Sequence, residues 1–389
     1  MRLAIGIFTS RLDRLGGYFH RLKTLINGLA VLGNEVVLIQ TNWAYQNSQI
    51  FFHSVSTLPV KSLVVDFPLM DLRYSRIGFP AFWNLPLVRY IPDDIDLLDL
   101  HDPIIRIPAR RSYRVVFSHN HFSPYIKAHF RNCGFRSASF LFEIPLLSKM
   151  LNGFQNRVDG YITETGNQRQ WIIDKYNVPE TAVAAVPPGF DFNLIQAFHR
   201  TANNSIAEPF IILFSGRVHS WKGVYELLEA FTLIAAKYPN WNLHFVGDGP
   251  AVSDLQKKTH QKGLQDRVVF WGSVDHPQAV ELAAKSDIFV LPSYIESFPL
   301  SLLEAMALGV PVIATDVGGI REHLIHPMVT GLLIPPKNHQ ALSHALVRLI
   351  SDPEYRTSLG KNGRTKTQGF TNKKMVQSTA SFYEKVLAK

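Results

Sequence analysis

The stretch FIILFSGRVHSWKGVYELLEAFTLIAAKYPNWNLHFVGDG, residues 210–249, decides the fold. It opens with an apolar run, crosses a loop that contains Gly216 and Gly223, and continues with apolar residues at helical spacing. A second apolar run, NLHFVGDG, follows at once. Strand, glycine-containing loop, helix and strand make a βαβ unit, and such units build parallel sheets. The same order opens the chain. RLAIGIF (2–8) leads through RLGG (14–17) to YFHRLKTLINGLAVLG (18–33), and then to the strand EVVLIQ (35–40). The two halves read alike, so the expected fold class is α/β, with two doubly wound Rossmann-like domains facing across a cleft. Open sheets of this kind bind ligands beyond the carboxyl ends of their strands, so chemistry is expected at strand ends in both halves.

Further short apolar runs extend the pattern: LLDLHD, YRVVFSHN and DGYITET in the first half, and VVFWGSV, DIFVLPS, PVIAT and GLLIPP in the second. Helix-period segments such as PQAVELAAKS and LSLLEAMALG lie between them. Residues 42–95 are rich in Pro and aromatics and read mostly as loop and short helices. The polar, aperiodic stretch HRTANNSIAEP (199–209) reads as the domain boundary. The expected division is residues 1–205, residues 206–370, and a terminal amphipathic helix at 371–389 that packs back on the first domain.

The chain has 389 residues, 46% hydrophobic and 18% charged. That length suits two or three domains, and that composition suits a folded core. The single Cys133 excludes a disulfide framework and a Cys-rich zinc site. No apolar run of ~18 residues is present, so no spanning helix is expected. MRLAIGIF is too short for a secretory signal, which makes the cytoplasm the expected compartment.

Net charge is +9, and residues 1–200 carry 21 Lys and Arg against 15 Asp and Glu. Arg106, Arg110, Arg111 and Arg114 form one cluster; Lys127, Arg131 and Arg136 form another, followed by FLFEIPLL. Basic residues beside apolar ones fit an anionic membrane surface, hence peripheral association at the inner face of the membrane. A solvated basic face fits equally. Nucleic acid is not expected as a partner, since no zinc-finger spacing and no RNA-recognition signature occurs.

Several strand-end residues are candidates for chemistry. Gly16 and Gly17 precede the first helix, where backbone N–H groups can approach an anion, or where the pair serves only as a tight turn. The full G-x-G-x-x-G fingerprint is absent. Arg217 and Lys222 lie in the loop after FIILFSG. They can neutralise a diphosphate, or be two surface cations. Glu296 follows DIFVLPS and so stands at that strand's mouth. Pro299 fits an early helical position, where its missing N–H costs little, and the N–H groups of Phe298 and Leu300 flank it at a helix start. Glu304 can accept from the vicinal hydroxyls of a ribose, or close a capping box with Ser301. His119 ends YRVVFSHN and can orient a substrate; His101 with Asp102 is a weaker parallel. Asp94 and Asp96 form a D-x-D pair in an acidic turn, and no metal site is expected there. Neither H-E-x-x-H nor G-x-S-x-G occurs.

At this point a resemblance is evident. FSGRVHSWKG, FVGDGP, LPSYIESFPLSLLEAMALGVPVIATDVGGIREHL and TGLLIPP resemble the retaining family 4 glycosyltransferases, whose fold is GT-B. VPPGFD (186–191) resembles the family's junction before its second domain. LGG, LGNEV and a strand-end histidine carry a looser match in the first half. The resemblance implies that Glu296 is the first Glu of an E-x₇-E motif and contacts the donor sugar, and that Glu304 is the second and holds the nucleotide ribose. It implies that Arg217, Lys222 and the Gly17 amide bind the donor diphosphate. It also implies that His119 lies near sugar and acceptor, and that Val274 contacts the base. Pro299 departs from the family's common Gly.

The implied reaction is metal-independent transfer of a hexose-type sugar, with retention, from a UDP- or GDP-type nucleotide sugar to a glycan or lipid-linked acceptor hydroxyl. It would serve polysaccharide or cell-envelope glycan synthesis and need no cofactor. A front-face route fits better than a covalent intermediate, since no paired carboxylates of the glycosidase kind are evident. A sugar-nucleotide epimerase and a non-catalytic sugar-nucleotide-binding protein are the rivals on the same fold.

Overall fold

The computed structural model describes residues 1–7, 17–41, 60–65, 91–92, 94–101, 111–119, 158–198 and 209–389. The chain divides into two units, Met1–Pro187 with Asn372–Lys389, and Pro188–Thr371.

The first unit holds a parallel sheet of β1 (Arg2–Ile7), β2 (Glu35–Thr41), β3 (Val60–Val65), β4 (Leu97–Leu100), β5 (Arg114–His119), β6 (Gly160–Thr163) and β7 (Val183–Ala185). The spatial order is β3-β2-β1-β4-β5-β6-β7, so the direction of winding reverses between β1 and β4. β4 and β6 are buried at every residue, as strands covered on both faces must be. Helix α1 (Gly17–Val31) follows β1 and buries Leu22, Leu25, Ile26 and Leu29, which share one helical stripe. Helix α2 (Gly166–Tyr176) follows β6 and starts at a capping box, in which the Thr165 side chain accepts from the Gln168 amide.

The second unit repeats the plan with β8 (Phe210–Ser215), β9 (Trp241–Val246), β10 (Val268–Gly272), β11 (Ile288–Leu291), β12 (Val312–Thr315) and β13 (Leu332–Ile334). All pairings are parallel, in the order β10-β9-β8-β11-β12-β13, and the winding reverses between β8 and β11. Its helices are α3 (Phe192–Ala197), α4 (Val224–Ala235), α5 (Val252–Gln261), α6 (His276–Lys285), α7 (Leu300–Ala307), α8 (His339–Ser351) and α9 (Pro353–Thr367). One apolar core joins them, with Phe214, Phe231, Phe245 and Phe289 fully buried.

The terminal helix α10 (Asn372–Leu387) belongs to the first unit. Met375, Val376, Phe382, Tyr383 and Val386 bury against α1 and the sheet. Gly28 of α1 makes room for it, since a Cβ there would collide with Val376.

Two expectations are revised. The division falls at 187/188 and 371/372, not at 205/206 and 370/371, because Phe190 and Ile195 already bury in the second unit's core and the Phe190 amide donates to Phe370 O (3.0 Å). Of the expected boundary stretch, 199–208 lie outside the described residues. Within 42–95, read as loop and short helices, β3 is an edge strand. Its apolar run VKSLVV is interrupted by Lys61 and Ser62, and its pairing with β2 is a long-range event that local pattern does not reveal. β7 is too short, at three residues, to show a period.

Candidate functional site

In the second unit, the parallel sheet sends every strand's carboxyl end to one rim. The loops after β8 and β11 therefore emerge side by side at the point where the winding reverses. Arg217 and Lys222 are in the first loop and Glu296 is in the second.

These two loops are knitted together. The Tyr294 amide donates to Trp221 O (2.8 Å), and the Tyr294 hydroxyl donates to Glu226 Oε1 on α4 (2.5 Å). Gly223 has φ +68°, and a Cβ there would strike the Pro292 carbonyl. Only glycine meets both conditions. The same holds for Gly318 (φ +58°), where a Cβ would strike the carbonyl of Glu296 itself. The Gly319 amide then donates to Ser297 O (3.1 Å). The backbone around Glu296 is thus fixed from two sides.

Within this frame Lys222 Nζ donates to Glu296 Oε1 at 2.5 Å. The two side chains are 15% and 9% exposed, so the pair is mostly withdrawn from water while keeping an open edge. Lys222 sits in a 3-10 turn, Ser220–Lys222, with its Nζ 4.6 Å from the Trp221 ring centroid. Arg217 is exposed and follows Gly216 directly after β8. Its loop is braced by the Val218 amide donating to Asp248 O (3.0 Å).

Glu304 lies in α7. Its Oε1 is 2.7 Å from His276 Nε2, at the start of α6. Ser301 is inside the helix rather than at its cap, and Pro299 holds the cap position with no side-chain hydrogen bond. The capping-box alternative for Glu304 therefore fails, and Pro299 stands one residue before the helix instead of in its first turn. Burial lowers the pKa of His276, but the hydrogen bond to Glu304 and the charges of Glu304, Asp191 and Asp275 outweigh it, and the imidazole is held above its ordinary value.

The remaining candidates are spread more widely. Val274 is half-buried after β10, on the same rim. Leu300 begins α7 and is partly buried. The Phe298 side chain turns into the core, with ring centroids of Phe370 and His323 each 5.6 Å away. In the first unit, Gly17 begins α1 and His119 ends β5, paired in register with Thr163. Gly16 lies outside the described residues. Asp94 and Asp96 both serve Arg2: Asp94 pairs with its guanidinium, and Asp96 accepts from its amide at 2.7 Å. Among the described residues no group of His, Cys, Asp and Glu is arranged to hold a metal.

Of the basic cluster, Arg111 and Arg114 both bond Asp159, at 2.5 and 3.2 Å. Arg106, Arg110, Lys127, Arg131 and Arg136 lie outside the described residues. Among the described residues no helix is long and apolar enough to cross a membrane.

His276 and Tyr294 were not anticipated. The available signal was position alone, since each follows a strand end on the rim that carries Glu296.

Residues 196–366 match a family model described as glycosyl transferases group 1. The alpha-D-kanosaminyltransferase of Streptomyces kanamyceticus is 34% identical over 152 residues, 39% of each chain. A D-inositol 3-phosphate glycosyltransferase of Arthrobacter is 31% identical over 224 residues, 55% of this chain and 53% of the relative. The chain thus spans about half or less of these relatives' lengths. Among solved structures, sucrose-phosphate synthase from Thermosynechococcus elongatus is similar over 100% of both chains, with a TM-score of 0.77 and 20% identity. Anabaena HepE in complex with UDP-glucose is similar over 98% of both, with a TM-score of 0.71 and 19% identity. These likenesses show the fold.

Proposed function

We propose, from the match of residues 196–366 to the glycosyl transferases group 1 family model, that the chain transfers a hexose-type sugar from a nucleotide diphosphate to an acceptor hydroxyl, with retention. The observation that carries this reading is the Lys222–Glu296 pair, which brings a cation and a carboxylate together where the winding of the second sheet reverses. That is the position where doubly wound sheets bind nucleotides. The named functions of the relatives support it: two are glycosyltransferases, and one similar structure holds UDP-glucose.

In this reading Lys222 turns from Glu296 to the diphosphate when the donor arrives, and Arg217 from the same loop adds a forked donor. The leaving diphosphate gathers negative charge as the glycosidic bond breaks, and preplaced cations stabilise that charge without reorganisation. The two supply the charge that a divalent ion would otherwise bring. Glu296, released from Lys222, accepts from the hydroxyls of the sugar. Glu304 accepts from the ribose hydroxyls, and Val274 meets the base. The N-terminal unit reads the acceptor, a glycan or lipid-linked alcohol, with His119 orienting it. The leaving phosphate takes the acceptor's proton.

A thermal-shift panel of UDP-, GDP-, ADP- and dTDP-sugars tests the donor assignment. A ligand at one hundred times its Kd stabilises the native state by about 2.7 kcal/mol. A shift with one base class is expected, and turnover that persists in EDTA. No shift with any of them, or a strict need for added Mg²⁺ or Mn²⁺, refutes the corresponding part.

A further inference from the structure

We infer, on the reading of Glu304 as the ribose carboxylate, that His276 is a positioning residue for that carboxylate and makes sugar-nucleotide affinity fall as pH rises. The geometry is specific. His276 Nε2 and Glu304 Oε1 are 2.7 Å apart, with side chains 31% and 12% exposed. A carboxylate near the start of a helix has several rotamers open to it, and a diol needs it in one of them. The imidazole pins one oxygen and leaves Oε2 to meet the ligand.

His276 is itself held in place. It is the first residue of α6, immediately after Asp275, whose side chain caps that helix by accepting from the Gln278 amide. The charged groups that act on the ring come from each element around it: Glu304 on α7, Asp191 ahead of α3, and Asp275 on its own helix. All three are carboxylates. They favour the protonated ring, and that proton compensates part of their charge. A donor brings two further negative charges, since both phosphates of a sugar nucleotide remain ionised through the neutral range. Loss of the His276 proton therefore costs affinity twice. The hydrogen bond to Glu304 keeps one charged partner instead of two, and the donor meets a more negative site. By linkage, donor binding and proton retention favour each other.

The same chemistry separates hydrogen bonding from charge. Gln at position 276 can donate to Glu304 but carries no proton to lose; Ala can do neither.

The experiment is a direct titration of the sugar nucleotide that gives the largest thermal shift, from about pH 6 to about pH 8.5, across the range where a histidine titrates. Wild type is expected to weaken by about tenfold over that range. His276→Gln should be flat with pH and match wild type at the upper end. His276→Ala should be flat and weaker than the Gln variant. The kcat at saturating donor should change less than about twofold in both, so the effect falls on KM. A wild-type Kd that does not vary with pH overturns the inference, as does a Gln variant that keeps the slope. The wild-type profile needs no variant, so misfolding of a variant cannot shelter the idea. Glu304→Ala separates the two layers. If it leaves donor affinity unchanged, the ribose reading fails. If it weakens binding while the His276 variants behave as wild type, only the role of His276 fails. If no sugar nucleotide binds wild type, both fall.

Discussion

Each sheet reverses its winding once, and each reversal has buried carboxylates beside it, but their surroundings differ. In the first unit, Asp99 of β4 is fully buried. It accepts from the Ser118 hydroxyl (2.8 Å) and the Tyr383 hydroxyl (2.5 Å) and lies 3.0 Å from His101 Nε2. Three partners on three separate segments saturate it. In the second unit, Glu296 and Glu304 are each paired with one basic side chain and keep an open edge. A carboxylate enclosed by hydrogen-bond donors ties elements together. A carboxylate with a single cation at a rim is available to a ligand. In the proposed reading the pairing on the second sheet binds the donor and is kept neutral until it is used; the cluster on the first ties α10 to the sheet.

The contrast can be broken by substitution, and the largest effect is expected at Lys222. Lys222→Ala removes transition-state charge stabilisation and should lower kcat/KM by about 10²–10³-fold in steady-state kinetics. Retained activity would mean that the pair is structural, like Asp99. Next is Asp99→Ala, which strands two buried hydroxyls. Denaturant unfolding should show a loss of about 3 kcal/mol, with donor affinity unchanged. Glu304→Ala reverses that signature: donor Kd should rise about 30-fold through lost charge-assisted hydrogen bonds, with little change in Tm. If the two variants shift the same observable, the contrast between units is wrong.

The smallest effect is Tyr383→Phe, which deletes one of the Asp99 hydrogen bonds and should cost about 1 kcal/mol. Its pH dependence sharpens the comparison. Burial raises the pKa of Asp99, but the His101 charge and the hydrogen bonds from His101, Tyr383 and Ser118 outweigh it, and the folded value lies below the ordinary 3.8. Such a group contributes stability that is fully present above the unfolded value and is lost as pH falls through the folded one. Wild type should therefore lose stability on acidification below about pH 4, and Tyr383→Phe, whose folded value lies closer to the unfolded one, should lose less over the same range. Identical acid transitions would show that the hydroxyl does not hold the carboxylate ionised.

The second unit was the more legible of the two, for a physical reason. Its strands are continuous apolar runs and its helices show clean apolar stripes, because a doubly wound sheet must be covered on both faces. Glu296, Arg217 and Lys222 could be placed on one rim because parallel strands deliver their ends to one side. The positions of Gly223 and Gly318 likewise depend only on backbone approach. In the first unit the edge strand β3 was missed, since Lys61 and Ser62 interrupt its run and only pairing with β2 makes it a strand.

Apart from β3 and β7, local sequence determined which segments are strands and helices, that they alternate, and therefore at which strand ends a ligand site could be built. Those outcomes follow from period and turn chemistry, which act over a few residues. Tertiary structure alone decided the partners. Lys222 and Glu296 are 74 residues apart, and Glu304 and His276 are 28 apart. Tyr383 reaches Asp99 across 284. No periodicity encodes such separations. They arise because burial of apolar faces sets the order of the strands, and that order brings polar side chains from distant segments within hydrogen-bonding distance.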